Sequence, residues 1–249
     1  MSFKSWTSYM QFSHSVKSKS RYVLDADSQE FLEGIKNTCV SRIEVIAPNS
    51  LLWRAQMGHS AIPLMQDDIE VDEIYVPYSE SRMRPLTDSA TEGRANSKGI
   101  PCLYVASNKE TAMSEIRPWL GSVVSVAKFS NNCELQVIDF SKHHNGSLPF
   151  FLAEPEDAKK IEAVWTHIDR AFSEPVTNSD QKSDYAPTQI IAELIKSLGY
   201  DGIAFKSSLN TGLNLALFDL NCVDFINCNL FKVNNIQFSF ENHDDERYT

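Results

Sequence analysis

Gly93-Arg94-Ala95-Asn96-Ser97-Lys98-Gly99 runs straight into Ile100-Pro101-Cys102-Leu103-Tyr104-Val105-Ala106 and then Ser107-Asn108-Lys109-Glu110. A polar loop bracketed by glycines, a short apolar run and a Ser-x-x-Glu capping box follow one another without a spacer. The order predicts a loop, a strand over Ile100 to Ala106 and a helix opening at Ser107. That helix carries Ala112, Met113 and Ile116 on one face and stops at Pro118. The loop closes a long irregular stretch, residues 77 to 99, which contains Pro77, Pro85, Gly93 and Gly99. Loops of that length inside a compact domain are more often functional than idle.

Toward the N-terminus, the turn Pro48-Asn49-Ser50 precedes an apolar run, Leu51-Leu52-Trp53-Arg54-Ala55, which reads as a strand. Before it, Asp27 with Glu30 resembles a helix cap, and Phe31, Ile35 and Cys39 recur at helical spacing. The first twenty residues show no clear period and read as a weakly ordered arm. Toward the C-terminus, strands are expected at Ser122 to Phe129 and Glu134 to Phe140. A helix from Pro155 to Phe172 carries Ile161, Trp165, Ile168 and Phe172. Asn178 to Asp184 is polar and loop-like. Pro187 suits the first turn of a further helix, with Ile190, Ile191, Leu194, Ile195 and Leu198 as its stripe and Gly199 at its C′ position. Short strands follow at Ile203 to Lys206, Leu213 to Phe218 and Val223 to Ile226, and Glu241 to Thr249 is a charged, frayed tail.

Strands therefore outnumber helices without a regular βαβ alternation, which predicts an α+β fold rather than a doubly wound sheet. No Gly-x-Gly-x-x-Gly turn is present, so a dinucleotide would bind by some route other than a Rossmann site. There is no internal repeat and no low-complexity tract.

Lys and Arg number 23 against 33 Asp and Glu, a balance of −10. Such a field repels phosphate backbones at long range and argues against direct nucleic-acid binding, while leaving room for a local basic cluster around a small anion. The five cysteines are odd in number and include no Cys-x-x-Cys pair, so they read as reduced and structural. No apolar run approaches the roughly 18 residues that span a bilayer, and Met1 to Arg21 lacks an apolar signal core. The expected compartment is the cytoplasm, with no membrane partner. His59, His143, His144 and His167 lack zinc-ligand spacing, so no metal is implied.

Four clusters could carry chemistry. Arg54 interrupts an apolar strand; most strand arginines snorkel to the rim, but an inward guanidinium would present a donor fork matched to phosphate. The 93–99 loop offers backbone freedom, positive charge and hydrogen-bond donors, or else is a solvated turn. Glu115 sits at the border of its helix's apolar face, where most glutamates simply reach water. Phe205-Lys206-Ser207-Ser208 leaves a strand ahead of Asn210, Gly212 and Asn214, a common turn composition. Each signal is weak alone.

In combination these segments resemble the RES-domain family, toxins of bacterial toxin–antitoxin pairs named for an arginine, a glutamate and a serine. The resemblance covers about residues 50 to 220. Leu52-Trp53-Arg54-Ala55 matches the arginine strand and Gly93–Gly99 the Gly-Arg-x-Asn-x-x-Gly loop. Leu103–Ala106 matches the Leu-Tyr-x-Ala strand, Glu115 the helix glutamate and Ser207 the serine, followed by the Asn214–Phe218 strand. Ala95 stands where many members carry Trp.

The resemblance implies an ADP-ribosyltransferase-like mixed β-sheet core flanked by helices. It places the catalytic domain at residues 46–235, between an N-terminal helical extension (1–45) and a tail (236–249). It implies NAD as substrate, cleaved by hydrolysis or by phosphorolysis with inorganic phosphate as co-substrate and no metal. Some relatives instead transfer ADP-ribose to a protein. The expected catalytic residues are Glu115, Arg54 and Ser207, and the expected NAD contacts are Arg54, Arg94, Asn96, Tyr104, Ser207 and Asn214. Glu115 would stabilise positive charge developing on the ribose, Arg54 and Arg94 would hold the pyrophosphate, and Tyr104 would stack on nicotinamide or ribose. Ser207 would hydrogen-bond a phosphate or the nicotinamide amide; no His motif accompanies it to make it a nucleophile. A helix-turn-helix, Xre-like antitoxin is the implied partner, and a homo-oligomer is left open. A protein ADP-ribosyltransferase is the nearest alternative, and a non-catalytic partner-binding module the more distant one.

Overall fold

The computed structural model describes residues 2–87, 89–142, 150–174 and 182–237. Six helices and ten strands are formed there. Eight strands make one mixed sheet in the order β1-β7-β8-β9-β5-β2-β6-β10. These are β1 (Ile43–Ile46), β2 (Leu51–Met57), β5 (Leu103–Ala106), β6 (Val123–Asn131), β7 (Leu135–Asp139), β8 (Gly202–Lys206), β9 (Leu213–Leu217) and β10 (Val223–Lys232). Every pairing is antiparallel except β7 with β8. The expected α+β class is the observed one.

Period-two alternation assigns the strand residues to two cores. Ile138, Ile203 and Phe205 face the helices α1 (Ser8–Ser18), α2 (Ala26–Thr38), α5 (Asp157–Ser173) and α6 (Ala186–Ser197). Their neighbours Val137 and Ala204 turn the other way and share a core with Leu52, Phe129, Leu215 and Leu217. Phe129 on β6 and Val137 on β7 lie in one cluster although their strands are far apart in the sheet order, so the sheet curls over on itself.

Near the middle of the sheet the pairing fails. β2 and β5 are joined by one residue pair, Trp53 with Ala106. On its other side β2 pairs with β6 from Leu51 through Met57. The sheet therefore opens between β2 and β5, at the level of Arg54 and Tyr104.

Several local expectations need correcting. The first twenty residues are not a loose arm but contain α1, whose Phe12 and Val16, four apart, are buried with Phe3. Phe12 stacks on Phe31 of α2 with ring centroids 4.5 Å apart. Its remaining residues are mostly Ser and Lys, so the stripe is too narrow to stand out until α2, α5 and α6 cover it. The α2 cap is Asp25, which accepts from Ser28 N, not Asp27. On the helix after β5, α4 (Lys109–Glu115), the cap is Asn108 rather than Ser107. Ser107 Oγ instead accepts from Leu213 N at 3.0 Å, tying the end of β5 to β9.

The hairpin β3 (Ser60–Gln66) and β4 (Ile69–Val76) had no sequence expectation. Its two-residue turn is Asp67-Asp68, both with positive φ, at +52° and +63°. That is the conformation of a type I′ turn, achieved without the glycine that usually signals it. Among the described residues of the 77–99 stretch only the short α3 (Glu80–Met83) is a regular helix or strand. The helix expected at 155–172 is α5, and Pro187 and Gly199 take the expected places at the two ends of α6, Gly199 with φ +89°. The tail at 241–249 and most of the 178–184 loop lie outside the described residues.

Candidate active site

The opening between β2 and β5 is a cleft of about 450 Å³, a size suited to a small-molecule ligand. Its lining includes Arg54, Arg94, Tyr104, Glu115 and Asn214. These residues come from β2, the 93–99 loop, β5, α4 and β9.

Glu115 is the last residue of α4 and is exposed to the cleft. A carboxylate at a helix C-terminus meets the negative end of the dipole, so helix formation does not favour it there. Two donors hold it in place. Ser207 Oγ donates to Glu115 Oε1 at 2.6 Å and Asn214 Nδ2 donates to the same oxygen at 2.7 Å. Oε2 is left for whatever enters the cleft.

Ser207 is buried at 4% exposure, and its hydroxyl oxygen also accepts from Leu209 N and Asn210 N, each at 3.2 Å. The hydroxyl is thus engaged by the acid and by its own turn. Gly212 explains how that turn reaches α4: a Cβ there would lie 2.3 Å from Thr111 Oγ1 and 2.5 Å from Asn108 Nδ2. Only glycine lets the β8–β9 loop pack so closely on the start of the helix.

Arg54 points inward. Its Nη1 donates to Tyr104 O at 3.4 Å across the open seam, and its Nε is buried without a hydrogen-bond partner among the described residues. Burial lowers its pKa from the ordinary guanidinium value. A buried, unpaired N–H carries an energetic penalty of about 1–3 kcal/mol, which an anionic ligand could relieve.

Arg94 lines the cleft, but its guanidinium donates to the carbonyls of Phe172 and Glu174 at the end of α5. Asn96 is buried away from the cleft: its Nδ2 donates to Thr91 O and Ile100 O, and its Oδ1 accepts from Tyr104 Oη at 2.8 Å. The same tyrosine hydroxyl accepts from Ala95 N at 2.8 Å. Burial raises the Tyr104 pKa, so the hydroxyl stays protonated and keeps donating. Gln189 of α6 closes the loop by donating to Gly93 O and Asn96 O. The loop is a braced wall of the cleft, and Ala95 contributes its backbone amide to that bracing.

Arg117 and Tyr185, which the sequence did not single out, also line the cleft, as does Phe205 from the cluster that contains Ser207. Arg117 follows Glu115 by two residues and precedes Pro118, an adjacency visible in the sequence. Tyr185 carries no local signal. Among the described residues no group of His, Cys, Asp or Glu could hold a metal ion, and no helix is long and apolar enough to cross a membrane. His143 and His144 lie outside the described residues.

A sequence profile of the family described as RES domain matches residues 72–239. The match includes the 93–99 loop, Glu115, Ser207 and Asn214, and begins after the strand that carries Arg54. No curated protein matches the chain. A chain in the crystal structure of the M. tuberculosis MbcT-MbcA toxin-antitoxin complex is similar over 80% of this chain and 92% of its own length, at 14% identity and a TM-score of 0.40.

Proposed function

Because the chain belongs to the RES-domain family, we propose that its cleft binds NAD and breaks the bond between nicotinamide and ribose. The observation that carries this reading is the carboxylate of Glu115, held by Ser207 and Asn214 in a cleft that also contains an inward arginine with an unpartnered N–H. Departure of neutral nicotinamide leaves positive charge on the ribose, and a fixed carboxylate stabilises it. Because Ser207 and Asn214 both bind Oε1, Oε2 is free to hold a ribose hydroxyl or to orient the attacking water or phosphate. Arg54 supplies a charge for the pyrophosphate. Tyr104 contributes the face of its ring, its hydroxyl being occupied. On this reading the opened sheet is ADP-ribosyltransferase-like, and the protein is a cytoplasmic toxin whose site a helix-turn-helix antitoxin masks.

Mass spectrometry of the products from NAD, with and without inorganic phosphate, tests the proposal. Free nicotinamide with ADP-ribose, or with its 1″-phosphate, supports it. Label from NAD retained on a protein would move the assignment to ADP-ribosyl transfer. A folded protein that leaves NAD intact at high concentration would sink it and favour a non-catalytic binding module.

A further inference from the structure

The cleft contains three arginines, and they differ in how their charge is used. Arg94 is engaged by two main-chain carbonyls. Arg54 is half-buried and reaches across the seam between β2 and β5. Arg117 is exposed and forms no ion pair among the described residues.

Its backbone is strained. Arg117 has φ +46°, in the left-handed region, and it precedes Pro118, whose ring restricts the residue before it. Such a conformation in a non-glycine residue has an unfavourable free energy of about 1–3 kcal/mol, and it persists where the surroundings enforce it. Here the amide of Arg117 donates to Ser114 O, which turns the chain out of α4 immediately after Glu115. A glycine would satisfy the turn without strain. The arginine instead places a cation on the same cleft wall as the acid.

We propose that Arg117 is the exposed cation of a phosphoryl-anion subsite in this cleft. This rests on the reading of the cleft as an NAD site. The phosphoryl group has two sources in that chemistry: the pyrophosphate of NAD, or the inorganic phosphate that attacks the ribose.

The test measures binding of NAD, nicotinamide riboside and inorganic pyrophosphate to Glu115→Gln protein, with and without Arg117→Gln. Phosphate dependence of turnover is measured with Glu115 intact. A tenfold or greater rise in the NAD dissociation constant with riboside binding unchanged identifies the dinucleotide as source. Unchanged NAD affinity with lost phosphate stimulation identifies free phosphate. Arg117→Lys should restore part of either effect. Arg117→Gly should raise the melting temperature by roughly 2–4 °C while weakening anion binding, a combination that a purely structural residue does not give. If the parent binds NAD and Arg117→Gln changes neither NAD affinity nor phosphate dependence, the subsite is refuted. If the parent binds pyrophosphate through Arg117 but not NAD, the subsite stands and the NAD reading falls. Binding of neither overturns both.

Discussion

Ser207 Oγ lies 2.6 Å from Glu115 Oε1, joining the turn after β8 to the last residue of α4 across 92 positions of sequence. Buried, and bonded to two amides of its own turn, the serine holds one oxygen of the carboxylate. Catalysis on the proposed reading therefore depends on a charged group whose position is set by two neutral donors.

Removing the charge should matter most. Glu115→Gln is expected to reduce nicotinamide release by about 10²–10³-fold, with a smaller loss of melting temperature than Ser207→Ala because the amide oxygen can still accept from Ser207 and Asn214. Near-normal turnover in a folded Glu115→Gln protein would remove Glu115 from the mechanism.

Ser207→Ala should act more weakly on rate and more strongly on stability. It deletes one hydrogen bond to a charged group, worth about 1.5–3 kcal/mol, and leaves Leu209 N and Asn210 N without their acceptor. We expect kcat to fall by roughly 10- to 100-fold with KM changed little, and the melting temperature to drop. A variant with altered KM alone would indicate that Ser207 touches substrate after all.

Arg54 and Arg94 should separate in experiment. Arg54→Ala is expected to raise the NAD dissociation constant by roughly 10- to 100-fold, since it removes the inward cation with the unpartnered N–H. Arg94→Ala removes the donors to Phe172 and Glu174 and should lower the melting temperature by about 4–8 °C with a smaller effect on affinity. Calorimetric titration paired with thermal melts decides it; the opposite pattern would restore the pyrophosphate role to Arg94.

Gly93→Ala should damage the loop without touching a ligand. A Cβ there would lie 2.6 Å from Tyr104 Oη and 2.9 Å from Asn96 Oδ1, two partners already bonded to each other. Overpacking of this kind typically destabilises by about 1–3 kcal/mol. A Gly93→Ala protein with wild-type stability and affinity would show that the wall can give.

Alkaline pH should destabilise the fold through its buried thiols. Burial pushes the thiols of Cys102 and Cys222 up to about 12, against an ordinary value near 8.5. The unfolded chain then loses these protons between about pH 9 and 12 while the folded chain keeps them, so stability is intact below that window and falls as pH rises through it. Denaturant melts from pH 7 to 10 check the sign. Under native conditions at pH 8 the exposed Cys133 should react with a thiol reagent well before these two.

How much of this was legible beforehand follows from the range of each interaction. The α+β class, the order of the elements, the break at Pro118 and the end of α6 at Gly199 are written in periods and caps that act within a few residues. The same is true of the resemblance carried by Gly93–Gly99, Glu115 and Ser207. Where local signals competed, at Asp25 against Asp27 and at Ser107 against Asn108, the cap was misplaced by one or two residues. The β3–β4 hairpin escaped notice because its turn uses two aspartates in place of glycine.

The sequence by itself determined which elements form and which charged side chains the strands, loop and helix would carry. Tertiary structure alone decided what those side chains do. The order β9-β5-β2 brings Asn214, Tyr104 and Arg54 side by side from distant stretches of chain, and the failure of β2 to pair fully with β5 opens the cleft between them. That placement turned Asn96 and Arg94 into bracing, gave Ser207 to Glu115 and left Arg117 facing the cleft. A hydrogen bond or a charge contact acts over a few ångströms, and no local pattern records which residue, a hundred positions away, folding will bring within that distance.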